Sequence, residues 1–377
     1  MRIIYPVNKR LVTGRAHDIL IVKTCYALAE AGVEVVLVIG RTMPEEGILS
    51  YYGLKPHKNF RIVQLPVVRK TGRFGISWHF IFNRFCLRKI LELSSDGKES
   101  LLYLSELKMA LFLLKHRKRI NMPFFYEVHG LYASYPDDGN YPCATADEGA
   151  VFSLSDRLIT TTESLKKIIR ETYPDSGDIS VVPLAAEKAH ALKPGRGGKF
   201  KAYYIGQLYY EQGIDLLIEV ARKLENVQFH IIGGKKEEVL SYREAVAREN
   251  IEKRVFFHGF VKPSEIDEAV KEADCFVMPS RKKGKMNYVA HTKSYEYLRY
   301  GKPIVSFRLD SVLEVLKDNY NALLAESDNP DSLAECIGRL KNDDELRNRL
   351  STGALKTLEK FSWSERAGKL KKVFNVN

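Results

Sequence analysis

Short apolar runs alternate with longer segments of mixed polarity along almost the whole chain. In the first half the runs are Arg2–Tyr5, Val33–Gly40, Arg61–Leu65, Leu101–Leu104, Phe124–Val128, Arg157–Thr160 and Ile179–Val182. Each has the length and the β-branched or aromatic content of a strand. The segments between them read as helices, one ending near Ala31 and another covering 76–93 with Trp78, Phe82 and Phe85. Pro183 to Phe200 breaks the rhythm with Pro194, Gly195, Gly197 and Gly198, as a linker would. A second series of runs then begins: AYYIG, VQFHIIGG, VFFHGF, CFVMPS, PIVSF and ALLA. Helical segments fill the tail. Strand–helix alternation of this kind predicts right-handed crossovers and parallel sheets with helices on both faces. The fold class expected is therefore α/β, with two doubly wound domains over 1–185 and 200–355 joined by 186–199. Ligands of such sheets bind beyond the carboxyl ends of the strands, so strand ends facing a cleft between the domains are the candidate sites.

The stretch Pro279–Phe307 carries the densest candidate chemistry. Cys275–Met278 is a buried strand stopped by Pro279. A loop follows with Arg281, Lys282, Lys283 and Lys285 and no acid. A helix then runs from near His291 to Gly301, with Pro303 just beyond, and Ile304–Phe307 is the next strand. A helix N-terminus behind a basic loop offers free backbone N–H groups to an anion. Lys293 sits in the first turn, where the helix dipole disfavours a cation, which points it at an anionic ligand. Glu296 lies one turn on, roughly on the same face. A lysine and a carboxylate so placed suit a nucleotide, the lysine on phosphate and the carboxylate on ribose hydroxyls. The same pattern also describes a surface ion pair on an ordinary helix.

TKSYEYLRYGKPIV resembles the donor-site helix of GT-B glycosyltransferases of family 4, where a lysine, an aromatic, a glutamate and a G-x-P turn recur in this order. YIGQLYYEQGIDLLIEV resembles the first strand, glycine turn and helix of their nucleotide domain. FHIIGG and VFFHGFVKPSEIDEAVKEADCFVMPS resemble its middle. FYEVHG and SDRLITTTESLKKII resemble the end of the acceptor domain, and FSWSERAGKL the closing helix. The resemblance implies two Rossmann-like domains, a closing helix over 356–377 that crosses back to the first, and retaining transfer from a nucleotide-sugar. It also implies a front-face mechanism in which the leaving phosphate takes the acceptor's proton, without a dedicated base.

Residue by residue, the resemblance implies a donor site in which Glu296 holds the ribose. Lys293, the helix N-terminus and the loop residues Ser280, Arg281, Lys285, Asn287, Tyr288 and Val289 meet the diphosphate and sugar. Gly206 and Gly233 let backbone approach the ligand, and His258, Gly259 and Phe260 bracket the base. Gly14, a single glycine where the family has two, approaches donor and acceptor. His129, behind Glu127 in FYEVHG, would hydrogen-bond the transferred sugar or the acceptor. On the residues alone it could equally bond neighbouring backbone. His129, Lys293 and Glu296 stand closest to the chemistry. Two departures stand out. Gln207 and Gln212 occupy positions where the family usually carries an arginine and a lysine. Tyr288 stands eight positions before Glu296, where the family has a first glutamate.

Composition adds bounds. The chain has 377 residues and 45% hydrophobic content, enough for two layered cores. No run reaches the ~20 continuous apolar residues of a membrane helix, and MRIIYPVNKR has too short an apolar run for a signal peptide. The five cysteines are scattered, odd in number and form no CxxC. That suits a reducing cytoplasm and implies neither disulfides nor a zinc site. No acidic D-x-D cluster ends a strand, so no metal and no cofactor is expected. The net charge of +12 implies anionic partners. From Arg69 to Lys89 there are six basic residues and no acid, interleaved with Trp78, Phe80, Phe82 and Phe85, and KHRKR follows at 115–119. This suits an anionic membrane surface or an ordinary amphipathic helix. No nucleic-acid recognition element is visible. The expected activity is hexosyl transfer from a UDP- or GDP-sugar to a glycan or lipid-linked acceptor, in cell-surface polysaccharide or glycolipid synthesis. A non-catalytic GT-B partner subunit and a nucleotide-sugar epimerase remain open alternatives.

Overall fold

The computed structural model describes residues 1–12, 16–66, 78–134, 143–192 and 198–375. Gly14 and the basic stretch 69–77 lie outside the described residues. The chain divides into two compact units, 1–184 with 363–377, and 185–362.

The first unit runs β1 (Arg2–Pro6), α1 (Ala16–Glu30), β2 (Glu34–Gly40), α2 (Glu45–Tyr51), β3 (Phe60–Leu65), α3 (Trp78–Ser94), β4 (Ser100–Leu104), α4 (Leu107–Leu114), α5 (Arg117–Ile120), β5 (Phe124–Val128), α6 (Ala144–Leu154), β6 (Arg157–Thr160), α7 (Glu163–Thr172) and β7 (Ile179–Val181). Its sheet has seven strands in the order β3-β2-β1-β4-β5-β6-β7, every pair parallel. β1, β4 and β5 are buried along their whole length. Strands covered by helices on both faces read as continuous apolar runs rather than alternating ones, which is why their bounds were legible in the sequence.

The second unit runs β8 (Phe200–Ile205), α8 (Ile214–Lys223), β9 (Val227–Ile232), α9 (Lys236–Arg248), β10 (Val255–Gly259), α10 (Ile266–Ala269), β11 (Cys275–Met278), α11 (Thr292–Leu298), β12 (Ile304–Phe307), α12 (Asp310–Leu313), β13 (Ala322–Ala325), α13 (Pro330–Asn342) and α14 (Asp344–Leu358). Its six strands are ordered β10-β9-β8-β11-β12-β13 and are again all parallel. Alternate residues of β8 and β9, such as Ala202, Tyr204, Phe229 and Ile231, pack with Leu217, Leu333 and Ile337 of α8 and α13 in one core.

The division falls at Ala185, where the sequence reading put a linker over 186–199. Residues 186–192 are tied to the second unit: Ala186 N–H donates to the Phe361 carbonyl, and His190 and Leu192 donate to Arg299 and Tyr300. The last helix, α15 (Trp363–Val373), belongs to the first unit and packs on α1. Ala367, Leu370 and Phe374 enter the core formed by Tyr5, Cys25 and Tyr103.

Strand order reverses between β1 and β4 in one sheet and between β8 and β11 in the other. At such a switch point the flanking crossovers leave on opposite faces, and a crevice opens at the carboxyl ends of the two strands. The chain has one such crevice per unit, and the candidate side chains gather at both.

Candidate functional site

In the second unit, Gly206 ends β8 and Pro279 and Ser280 follow β11. Gly206 has φ +153°, and a Cβ there would lie 2.5 Å from Lys293 Cε and 2.9 Å from Nζ. The glycine is therefore the space into which the lysine's end fits. Gly233, after β9, is constrained from the other side, since its Cβ would lie 2.1 Å from the Gly206 carbonyl oxygen. Lys293 is in the first turn of α11, yet its ammonium reaches back over this glycine pair. It donates to Gln212 Oε1 at 2.6 Å and stands 5.1 Å from the centroid of the Tyr204 ring. The Tyr204 hydroxyl donates to the Gln207 carbonyl and lies 3.2 Å from Gln212 Oε1.

No carboxylate pairs with Lys293 among the described residues. Burial lowers its pKa to about 8, and Glu296 one turn on opposes the shift. A half-buried cation whose main partner is a neutral amide oxygen is under-compensated, and an anion would relieve it. Glu296 itself is exposed on the helix surface. The charge the family resemblance places on the glycine turn is thus absent at Gln207 and Gln212. A cation nevertheless stands over that turn, supplied by α11.

The basic loop is organised differently from a free cluster of phosphate ligands. Arg281 pairs with Asp215 in the first turn of α8 and stacks on Tyr210, 4.4 Å from the ring centroid. Its N–H donates to the Glu211 carbonyl. Arg281 therefore laces the β11 loop to the β8 loop. Lys283 lies 5.3 Å from the same ring. Asn287 donates to Asp310 and accepts from the Asp310 N–H, so it caps α12. Val289 N–H and Tyr288 N–H both donate to the Lys285 carbonyl in one tight turn, and the Tyr288 side chain is buried. His291, preceding α11, is buried and bonds the Met286 carbonyl at 2.8 Å, which fixes the entry to the helix. Ser280 is buried, and its hydroxyl has no hydrogen-bond partner among the described residues. At the end of β10, His258 Nε2 lies 3.0 Å from His230 Nδ1, Gly259 faces open space and Phe260 is 76% exposed. Tyr204, Tyr210 and Asp215 were not singled out from the sequence. Asp215 stands 66 positions before Arg281, so no local pattern pairs the two.

At the switch point of the first unit, His129 follows β5 with 25% of its side chain exposed, its Nε2 3.9 Å from Glu127 Oε1. Its ring meets His17 edge-on at 5.0 Å. His17, the second residue of α1, has Lys9 Nζ 3.2 Å from its Nδ1 and Ser105 Oγ 3.4 Å from its Nε2. An ammonium can only donate, so Nδ1 accepts and the ring proton belongs on Nε2. Lys9 also pairs with Glu106 at 3.1 Å. Burial lowers the pKa of both histidines, for His129 against the pull of Glu127. They are neutral hydrogen-bonding groups at neutral pH. Below them Glu127 is buried, receives the Tyr103 hydroxyl and pairs with Arg366 at 2.5 Å. Burial pushes the Glu127 carboxyl up, Arg366 and His129 pull it down, and the balance falls below the usual carboxylate range. Arg366 also donates to Thr24 and to the carbonyls of Val182 and Pro183. Lys9, His17, Ser105 and Arg366 escape a sequence reading because they come from four separate stretches.

Two Rossmann-like units, each with its own switch-point crevice, define the GT-B class of glycosyltransferase folds. Residues 187–357 match the family described as Glycosyl transferases group 1, and the second unit is a domain of that family. The chain is similar to an uncharacterized glycosyltransferase of Methanocaldococcus jannaschii, 29% identical over 45% of this chain and 46% of that protein, so it spans about half of that relative's length. It is also similar to the D-inositol 3-phosphate glycosyltransferase of Corynebacterium glutamicum, 23% identical over 95% of this chain and 91% of that one. The Anabaena protein HepE, solved in complex with UDP-glucose, has the same fold, with a TM-score of 0.74 at 13% identity over 100% of this chain and 99% of that one.

Proposed function

We propose that the protein is a retaining glycosyltransferase of family 4 that uses a UDP- or GDP-linked sugar. The observation that carries this reading is Lys293, a half-buried cation without a carboxylate partner among the described residues, held over Gly206 at the switch point of a group 1 domain. The diphosphate takes the place of Gln212 on the ammonium and meets the N-terminus of α8, whose first N–H groups have no intrahelical acceptor. Glu296 holds the ribose, His258 to Phe260 bracket the base, and the Ser280 hydroxyl bonds the donor. The neutral His129 bonds the transferred sugar or the acceptor.

In the reaction the bond from the sugar's anomeric carbon to the phosphate oxygen breaks, and the acceptor oxygen bonds the same carbon from the same face. The acceptor's proton passes to the leaving phosphate oxygen. Negative charge grows on that phosphate, and the fixed ammonium of Lys293 stabilises it. This chemistry needs no protein base and no divalent ion, so EDTA leaves turnover unchanged. The acceptor is a glycan or a lipid-linked glycan of cell-surface polysaccharide or glycolipid synthesis, met at the cytoplasmic face of the membrane. Titration with UDP and GDP, followed by NMR of the anomeric configuration released on slow donor hydrolysis, tests the reading. Binding of one nucleotide with retention supports it. Absence of binding to both, or a changed sugar without transfer, removes it.

A further inference from the structure

The proposed donor site leaves open where the protons lie on one histidine pair, His230 and His258. β9 and β10 pair in step up to Phe257 opposite Ile231, and then Gly259 stands opposite Ile232. His258 is therefore an extra residue, a β-bulge at the carboxyl end of the edge strand. A bulge re-aims the side chain it carries. Here His258 leans towards β9, where its Nε2 lies 3.0 Å from His230 Nδ1. The His230 ring is held between two others, Tyr203 at 4.6 Å and 8° and Phe256 at 5.0 Å and 23°. Its second nitrogen, Nε2, is buried and has no hydrogen-bond partner among the described residues. The His258 side chain is exposed, and its Nδ1 has no protein partner among the described residues. Burial lowers the pKa of both rings, that of His230 to about 4. His258 and Lys201 add to the shift of His230 against Glu272, and Arg243 adds to that of His258. Both rings are neutral at neutral pH, so each carries one N–H, and the 3.0 Å contact needs one of them to donate. Donation from His258 Nε2 would put the His230 proton on its buried Nε2, an N–H with nothing to bond. Orphaned N–H groups are rarer in proteins than orphaned acceptors. His230 Nδ1–H is therefore the donor, and the His258 proton sits on Nδ1, the nitrogen turned away from His230.

We propose that His230 fixes the tautomer of His258 so that the His258 Nδ1–H selects a base with a keto oxygen, uracil O4 or guanine O6, over one with an amino group there. The inference rests on the donor-site reading, which brings the base to the end of β10. The turns that lead there touch one another. Gly233 N–H donates to the Gly259 carbonyl, and Gly233 packs on the Gly206 carbonyl. Two strand spacings, roughly 10 Å, separate β10 from β8, a distance that a ribose phosphate bridges. A keto oxygen satisfies the Nδ1–H. An amino group in its place sets donor against donor, and the site forfeits a bond it is built to make. His230 touches His258 and not the base, so it is a positioning residue.

The test has two readouts on the full chain. NMR of protein labelled with 15N-histidine reads the tautomers, with His258→Phe and His230→Phe assigning the signals. His258 is expected as the Nδ1–H form in the wild type and as a mixture in His230→Phe, where a phenyl ring keeps the stack between Tyr203 and Phe256. Calorimetric titration then compares UDP with CDP and GDP with ADP, so that ring size is matched within each pair. The wild type should prefer the keto base of the pair it binds by about 10- to 100-fold. His258→Phe should lower affinity for the keto nucleotide to that of its amino partner. His258→Gln, whose amide can donate or accept, should keep the keto affinity while the preference shrinks. His230→Phe should also shrink the preference, with melting unchanged. Equal wild-type affinities within a pair, His258 in the Nε2–H form, or a preference that survives His230→Phe, each overturns the inference alone. Failure to bind any of the four nucleotides removes the donor-site reading and the inference with it.

Discussion

Lys293 is the side chain on which the proposed donor site turns. Its position is unusual for a cation, at a helix N-terminus and partly out of water, and burial lowers its pKa. If the protonated form binds the diphosphate as proposed, UDP affinity should be greatest below about pH 8 and fall as pH rises through it. Stability of the unliganded chain should run the other way. Between about pH 8 and the ordinary lysine value the unfolded chain binds the extra proton, so stability rises with pH. Calorimetric titration across this range checks the first trend and chemical denaturation the second. Lys293→Met should weaken UDP binding about 10- to 100-fold, the range of a lost charge-assisted hydrogen bond. Lys293→Arg should keep most affinity and flatten the pH profile. Gln212 separates positioning from charge. Gln212→Ala frees the ammonium and should cost little, whereas Gln212→Glu gives it a competing carboxylate and should weaken UDP binding more. Equal affinities for the two variants would remove Gln212 from the site.

At the scale of elements, the proposed donor site is two loops facing each other across the β8–β11 switch point. Close approach of backbone and side chain sets their geometry. Gly206→Ala places a methyl group where the end of Lys293 lies. A lysine end can swing away, so beyond the backbone strain of an alanine at φ +153° the fold should survive, while donor affinity falls to nearly that of Lys293→Met. Gly233→Ala meets a carbonyl oxygen, which cannot swing, and should lower stability by about 2 kcal/mol or more. Paired melting curves and UDP titrations distinguish the two outcomes. The Arg281–Asp215 pair with its Tyr210 platform holds the same loops from outside. It ties the loop after β11 to the loop after β8.

For the whole molecule, the decisive contact is the one that returns the C-terminus to the first unit. Arg366 is buried among Glu127, Thr24 and two carbonyls, so α15 completes a core begun by β1. Arg366→Met leaves the Glu127 carboxylate buried and unpaired, and should destabilise the first unit by about 3–5 kcal/mol. Adding Glu127→Gln should recover much of the loss, which a double-mutant cycle of urea unfolding would read. Because the Glu127 pKa is held below its ordinary value, the pair's contribution is present above the ordinary carboxylate range and is lost as pH falls through the folded-state value. Unfolding of the first unit in mild acid should therefore show a pH dependence that the double variant lacks.

The sequence by itself determined the two sheets, most of their strand bounds and the helix carrying Lys293 and Glu296. Strands such as Cys275–Met278 and Ile304–Phe307 are buried on both faces and show as uninterrupted apolar runs, and helix ends are marked by Gly301 and Pro303. These are local signals, written in neighbouring residues. The tertiary structure alone decided which cation stands over the glycine turn. It also showed that Arg281 is spent on Asp215 and Tyr210 and that His17 and Lys9 face His129. The inward turn of Arg366 likewise came only from the fold. Each of these joins residues tens to hundreds of positions apart, and no spacing along a chain encodes a contact that exists only once strand order has reversed and the ends of distant strands meet.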